Sequence, residues 1–397
     1  MTPPHESPPA GRWRRRVSLL ILILGTLIGG GWRYRITRPD YRFARGQDAI
    51  RARNAEAVRD YAARLEAAGY PDHAYLLRGE ALFAFGSPDR ALEQLNLVHA
   101  EGPFRLQAAA LSGRCLLELG ELREAYRVFS FVVAQQPDHI DGHRGLAAIA
   151  YDLGRLSEAV EHLQRVAELD LPDSRPHRLI GLIYKDMAQD TQSEEAYREA
   201  LRRGPPAAAE RDVRLELAEV LARQAKFADG LAILDGGDPD GAEPEPAFAA
   251  VRAECLRGLG RPREAAEVLD GVLGKHPTAA LYRLRGQVHK DQSQPVDALR
   301  CFERAVELEP TDYQAHYLLG QAYAGLGRKG DAARAFARAD ELRKDLDQIT
   351  SLSREAMVKP WDRDVRLQLA DLCDRMGKPP LAAMWRKAAA ACSEASR

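Results

Sequence analysis

YQAHYLLGQAYAGLGRKGDAARAFARADELRKDL, running from Tyr313 to Leu346, is the stretch whose spacing decides the fold. His316, Leu319, Gly320 and Tyr323 lie three or four residues apart and share one face of a helix. Gly327 marks a turn, after which Ala332, Phe336 and Ala339 line one face of a second helix. Small residues at Gly320 and Ala332 let the two helices approach closely, with Tyr323 and Phe336 filling the space between. Such a pair leaves an apolar face that only a neighbouring pair can cover, so the pattern is expected to recur.

It recurs along most of the chain. Successive copies span 72–105, 106–139, 140–173 and 174–207, with starts 34 residues apart and prolines at Pro103, Pro137, Pro172 and Pro205 ending the second helices. A fifth copy at 211–244 carries Gly230 where alanine is expected and ends in a Gly-Gly-Asp-Pro-Asp-Gly run from Gly236 to Gly241, read as a joint. Further copies follow at 246–278, 279–312 and 313–346, and a last one at 363–396 has Arg386 in the aromatic slot, as suits a solvent-facing cap. The second helix of the eighth copy is expected to continue through Leu352 towards Met357. This pattern resembles the tetratricopeptide repeat.

The resemblance implies an all-α solenoid of about nine helix–turn–helix repeats wound into a right-handed superhelix, whose first helices line a concave face that binds peptides or helices. The organisation read from the chain is a basic tail (1–16), an apolar segment (17–32), a linker and leading helix or degenerate repeat (33–71), repeats one to five (72–244), repeats six to eight (246–346), and a long helix extension with a terminal repeat or cap (347–397). From Asp48 to Gly69 the sequence reads as helical.

Charge is unevenly spread. Residues 1–60 hold 12 arginines against five carboxylates, which leaves 45 basic against 53 acidic residues in the remainder. A basic end beside an acidic body suits an anionic membrane surface better than nucleic acid. The apolar run from Val17 to Trp32 is 16 residues long. As a helix it spans ~24 Å, short of the ~30 Å hydrocarbon layer, with Trp13 and Trp32 placed for the two interfaces. It is read as an uncleaved signal anchor; a cleaved signal peptide with Gly29 and Gly31 before the cut stays open. The expected location is the bacterial inner membrane, amino terminus inside and body exported; arginines flank the run on both sides, so a cytoplasmic-facing body stays open.

Chemistry is sparse. No P-loop, G-x-S-x-G, H-E-x-x-H or dinucleotide fingerprint occurs, and the repeats leave no room for a catalytic domain, so neither enzyme activity nor a cofactor, metal or small-molecule substrate is expected. The five cysteines form no CxxC pair and read as small buried residues. His143, His177 and His316 share one slot of the first helix, which packing explains better than a metal does.

Mapping the family's inward slots gives two clusters as the partner-binding groove. One is Arg114, Arg144, Tyr151, Arg175, Arg178 and Lys185; the other is Arg283, Gln287, Lys290, Tyr317 and Gln321. A basic lining on an acidic body is expected to attract acidic segments of protein partners. The bland alternative is that the arginines pair with Asp141, Asp152 and Asp186. The functional expectation is a membrane-anchored scaffold for assembly of an envelope complex. Its rival is a non-catalytic, regulatory or substrate-recruiting subunit of an envelope enzyme complex.

Overall fold

The computed structural model describes residues 38–236, 245–359 and 362–393. Val17 to Trp32 and most of the Gly236–Gly241 joint lie outside these residues. Among the described residues there are twenty helices and no strand. None of the helices is long and apolar enough to cross a membrane.

The chain divides into two compact units, the first ending at Val132 and the second beginning at Val133. The first contains α1 (Pro39–Arg51), α2 (Ala55–Ala67), α3 (Pro71–Ala84), α4 (Pro88–Leu95), α5 (Arg105–Leu119) and most of α6 (Leu122–Gln135). The second contains α7 (Ile140–Asp152), α8 (Leu156–Leu169), α9 (Arg175–Asp186), α10 (Asp190–Arg202), α11 (Ala207–Arg223), α12 (Phe227–Asp235), α13 (Pro246–Gly258), α14 (Pro262–Leu273), α15 (Ala279–Asp291), α16 (Pro295–Leu308), α17 (Tyr313–Gly325), α18 (Lys329–Val358), α19 (Arg363–Arg375) and α20 (Pro379–Ser393). Within each unit the helices pack as consecutive hairpins. The leading region corrects the sequence reading. The helical run expected from Asp48 to Gly69 is broken at Arg53, whose φ is +52°, and restarts where the Asn54 side chain accepts the Ala57 N–H at 3.0 Å.

One contact repeats through the hairpins. A Cβ placed on Gly320 would lie 2.7 Å from the Phe336 ring, on Gly113 2.7 Å from Phe129, on Gly181 2.8 Å from Tyr197, and on Gly286 2.5 Å from Phe302. No side chain fits there, so the first helix lies directly on the ring of the second. Where the second helix offers only leucine, the first carries a methyl group: Ala147 packs in one cluster with Leu163, and Ala253 with Leu269. Gly230 breaks the alanine pattern for a similar reason, since its missing Cβ leaves room for the Cys255 sulfur. Arg386, in the last aromatic slot, pairs instead with Asp371 and Asp374, and neighbouring Trp385 packs against the cluster that contains Leu352, Leu369 and Leu372.

The turns keep the same register. Gly86, Gly120, Gly154 and Ala188 follow one another at intervals of 34 residues, and all have positive φ. Alanine at +55° is strained where glycine is not. Ala188→Gly should therefore stabilise the protein by about 0.5–1 kcal/mol, after allowing for the freer unfolded chain, and raise the Tm in a thermal melt. Gly320→Leu should cost ~1–3 kcal/mol by driving α17 off Phe336; an unchanged melt would show that the contact does not set the helix spacing.

Candidate partner-binding groove

Helices α7, α9 and α11 of the second unit present one continuous face. Spacing brings it about: consecutive first helices lie side by side, so a residue on one reaches another about one repeat later. The polar bonds follow that interval. Tyr151 Oη donates to Asp186 at 3.2 Å, Lys185 Nζ to Glu219 at 3.0 Å, and Arg178 forks onto Glu216 at 2.7 and 3.1 Å while also pairing with Asp212.

The predicted cations are therefore already occupied. Arg144 pairs with Asp173 at 2.9 Å, Asp170 at 3.3 Å and Asp141 at 3.5 Å. Arg175 makes two parallel bonds to Asp173, at 2.8 and 2.9 Å. That carboxyl is held below its ordinary value by Arg175 and Arg144, against the opposing effect of burial, which is the largest single influence on it. The free basic lining expected from the sequence is absent because acidic side chains of the same and following hairpins quench it. Of the three anticipated partners, Asp141 does pair with an arginine, Asp186 takes Tyr151, and Asp152 has no ion pair among the described residues. Counting Asp152 with the side chains just named, four cations stand among eight carboxylates.

Asp152 is open to solvent, yet protein atoms surround it at longer range. That enclosure pushes its carboxyl up, with Lys387 of α20 opposing the shift. Tyr151 lies between Asp152 and Asp186; burial and both carboxylates push its hydroxyl up.

The floor between these charges is apolar. A pocket of about 410 Å³ is lined by Ala147, Ala148, Tyr151, Leu179, Leu182 and Ile183, with Arg144, Asp152, Asp173 and Arg175 at its edge. Leu179 is 46% exposed and Tyr151 40%. The sequence reading singles out Arg144, Tyr151 and Arg175 of this pocket, names Asp152 only as a pairing partner for the arginines, and misses Leu179, Leu182 and Ala148. Their signal is positional: Ala148 follows Arg144 by four residues, and Leu179 follows Arg175 by four, on the same helix face.

The other predicted residues fall elsewhere. Arg114 belongs to the first unit, where its guanidinium lies 4.6 Å from the Phe83 ring centroid. On α15 and α17, Arg283 pairs with Asp312 at 3.0 Å, Lys290 donates to Gln321 at 2.9 Å, and Tyr317 tilts against Phe336 at 5.6 Å between centroids. Gln287 is half-buried beside them on α15. These polar bonds again join consecutive first helices.

The shared histidine slot has a structural role. His143 Nε2 lies 2.8 Å from the Pro137 carbonyl oxygen, and His316 Nε2 lies 3.0 Å from that of Pro310, in each case six residues back. Each ring satisfies a carbonyl left over at the end of the preceding helix. In the third repeat the proline comes one place late. Its counterpart carbonyl, on Leu171, accepts from Arg203 instead, and His177 Nε2 is buried without a partner. His143 Nδ1 also meets His162 Nδ1 at 3.0 Å. Among the described residues no group of three or more His, Cys, Asp or Glu side chains is arranged to hold a metal. Cys115 and Cys255 are buried, and burial pushes both thiols up to about 11.

Burial holds His162 and His177 below the ordinary imidazole value, His143 adding to the effect on His162. Both are therefore less readily protonated folded than unfolded. Their contribution to stability should be complete above about pH 6.5 and decline as the pH falls below it, because the unfolded chain takes up protons first. Denaturant melts from pH 7.5 to 5 should show this decline, and His162→Gln with His177→Gln should flatten it; an unchanged slope would exclude these two rings as its origin.

Three stretches match family models described as tetratricopeptide repeat: residues 116–183, 183–286 and 283–345. Among solved structures, a tetratricopeptide repeat protein from Parabacteroides merdae is 17% identical with a TM-score of 0.43, covering 63% of this chain and 98% of that one. The C-terminal part of a repeat protein from Cytophaga hutchinsonii is 15% identical with a TM-score of 0.45, covering 59% and 95%. Human IFIT1 is 15% identical with a TM-score of 0.41, covering 85% and 87%. Scores of this size carry no functional argument. A comparison with curated proteins finds no match.

Proposed function

Since this chain carries tetratricopeptide repeats from residue 116 to residue 345, we propose that it is a non-catalytic scaffold whose second unit binds protein partners at the pocket lined by α7, α8 and α9. Proteins built from such repeats generally mediate protein–protein interaction. The observation that carries the reading is the open apolar pocket, where Leu179 and Tyr151 remain exposed amid a network that satisfies the surrounding cations. A stable fold gains nothing from that exposure, whereas a docking partner gains apolar area by covering it.

The sequence expectation of an acidic partner rests on free cations, and the ion pairs remove that footing. Placement at a bacterial membrane, with the body exported to assemble an envelope complex, rests on the apolar run from Val17 to Trp32 and the arginines flanking it.

Leu179→Glu puts a charge on the pocket floor at an exposed position. It should abolish crosslinked partner adducts in native membranes while leaving helix content and Tm nearly unchanged. Adducts of undiminished yield would refute the groove as the docking surface. Recovery of the full chain in the soluble fraction after carbonate extraction would refute the anchor.

A further inference from the structure

The apolar pocket alone leaves the chemistry of the partner open, and the charges around it bear on that chemistry. Every cation predicted for the α7–α9–α11 face holds a carboxylate, so none of them is free to meet an incoming anion. The carboxylates are in excess. Asp152 has no ion pair among the described residues, and Asp186 receives only the neutral Tyr151 hydroxyl. Asp152 borders the apolar floor beside the exposed Tyr151, whose hydroxyl reaches Asp186.

Lys387 of α20 is the cation whose field reaches Asp152, though no ion pair closes between them. Met357, at the end of α18, lies against the Gly154 turn next to Asp152, where a Cβ on Gly154 would come within 2.7 Å of its Cγ. Met357 is 38% exposed and Met384, one turn before Lys387, is 45% exposed. Methionine side chains adapt to varied apolar partners.

We propose that this groove takes a basic amphipathic segment of a partner protein, with apolar side chains on Leu179, Leu182 and Ala148 and a Lys or Arg side chain on Asp152 and Asp186. The assignment rests on the groove being the docking surface and adds the sign of the ligand. An acidic segment on the same floor meets the like charges of Asp152 and Asp186, and the cations of α7 and α9 already hold carboxylates, which disfavours it in both affinity and encounter rate. A nucleic-acid backbone is disfavoured for the same reason.

The test is a selection of random 16-residue peptides displayed on phage against the full-length protein, followed by fluorescence anisotropy on the enriched sequences. Enriched peptides should combine Leu, Ile or Phe with net positive charge. Their affinity should fall about tenfold in the Asp152→Asn, Asp186→Asn double variant, and it should weaken with added salt. Enrichment of neutral or acidic peptides, no enrichment, or binding indifferent to the double variant overturns the proposed sign. Leu179→Ser separates the two claims. If it weakens peptides that ignore the Asn changes, the groove stands and the sign fails; if it affects no enriched peptide, the groove reading itself fails.

Discussion

Two helices can lie ring-to-backbone only where one of them has no side chain, and the architecture depends on that constraint. At Gly113, Gly181, Gly286 and Gly320 a single added carbon would lie within 3 Å of the opposing aromatic ring. The ring's apolar area is then buried against backbone as well as side chains, so one aromatic residue holds a hairpin together. The Ala147 and Leu163 pairing shows the same space filled differently, with a methyl group added on one side and an aromatic ring given up on the other. Close approach also aligns the first helices side by side at one-repeat intervals, and the polar network follows from that alignment.

That network explains why the inward positions are rich in charge without forming a charged surface. Arg178 and Glu216, Lys185 and Glu219, and Arg283 and Asp312 each join one first helix to the next or to its cap. Partly exposed pairs of this kind contribute little stability singly, about 0–1 kcal/mol. Their weight lies in register, since a hairpin shifted by one residue would leave several carboxylates facing nothing. The family's inward slots are thus used here first for holding neighbours, and only what remains is available to a partner.

The register is legible in the sequence because it rests on residue size at fixed intervals, and size can be read without knowing neighbours. Gly320 with Phe336, and the turns at Gly86, Gly120 and Gly154, are placed by spacing alone. The helix break at Arg53 is not, because nothing in the composition of Asp48 to Gly69 opposes a continuous helix; only the Asn54 cap marks it. The charge state of the groove is not legible either. Arg144 is quenched chiefly by Asp170 and Asp173, which the loop before α9 brings back over α7, and helix periodicity does not describe a loop. Leu179 escapes notice because an apolar residue on a helix is ordinarily core, and its exposure depends on having no neighbour opposite.

The late proline of the third repeat links these observations. In the repeats around His143 and His316, a ring six residues after the proline covers the proline's own carbonyl, and the loop between them is short and closed. Pro172 comes one place later, the loop from Asp170 to Ser174 is reset, and Arg203 reaches the Leu171 carbonyl. The same loop carries Asp170 and Asp173 to Arg144 and Arg175, at the edge of the apolar pocket. The offset loop keeps its carboxylates paired with Arg144 and Arg175, as Asp312 pairs with Arg283 in the repeat around His316, while His177 loses the carbonyl that its counterparts hold. Because the cations at the pocket's edge are engaged by that loop, the carboxylates of Asp152 and Asp186, one repeat interval apart on α7 and α9, are left to set the sign of the opening.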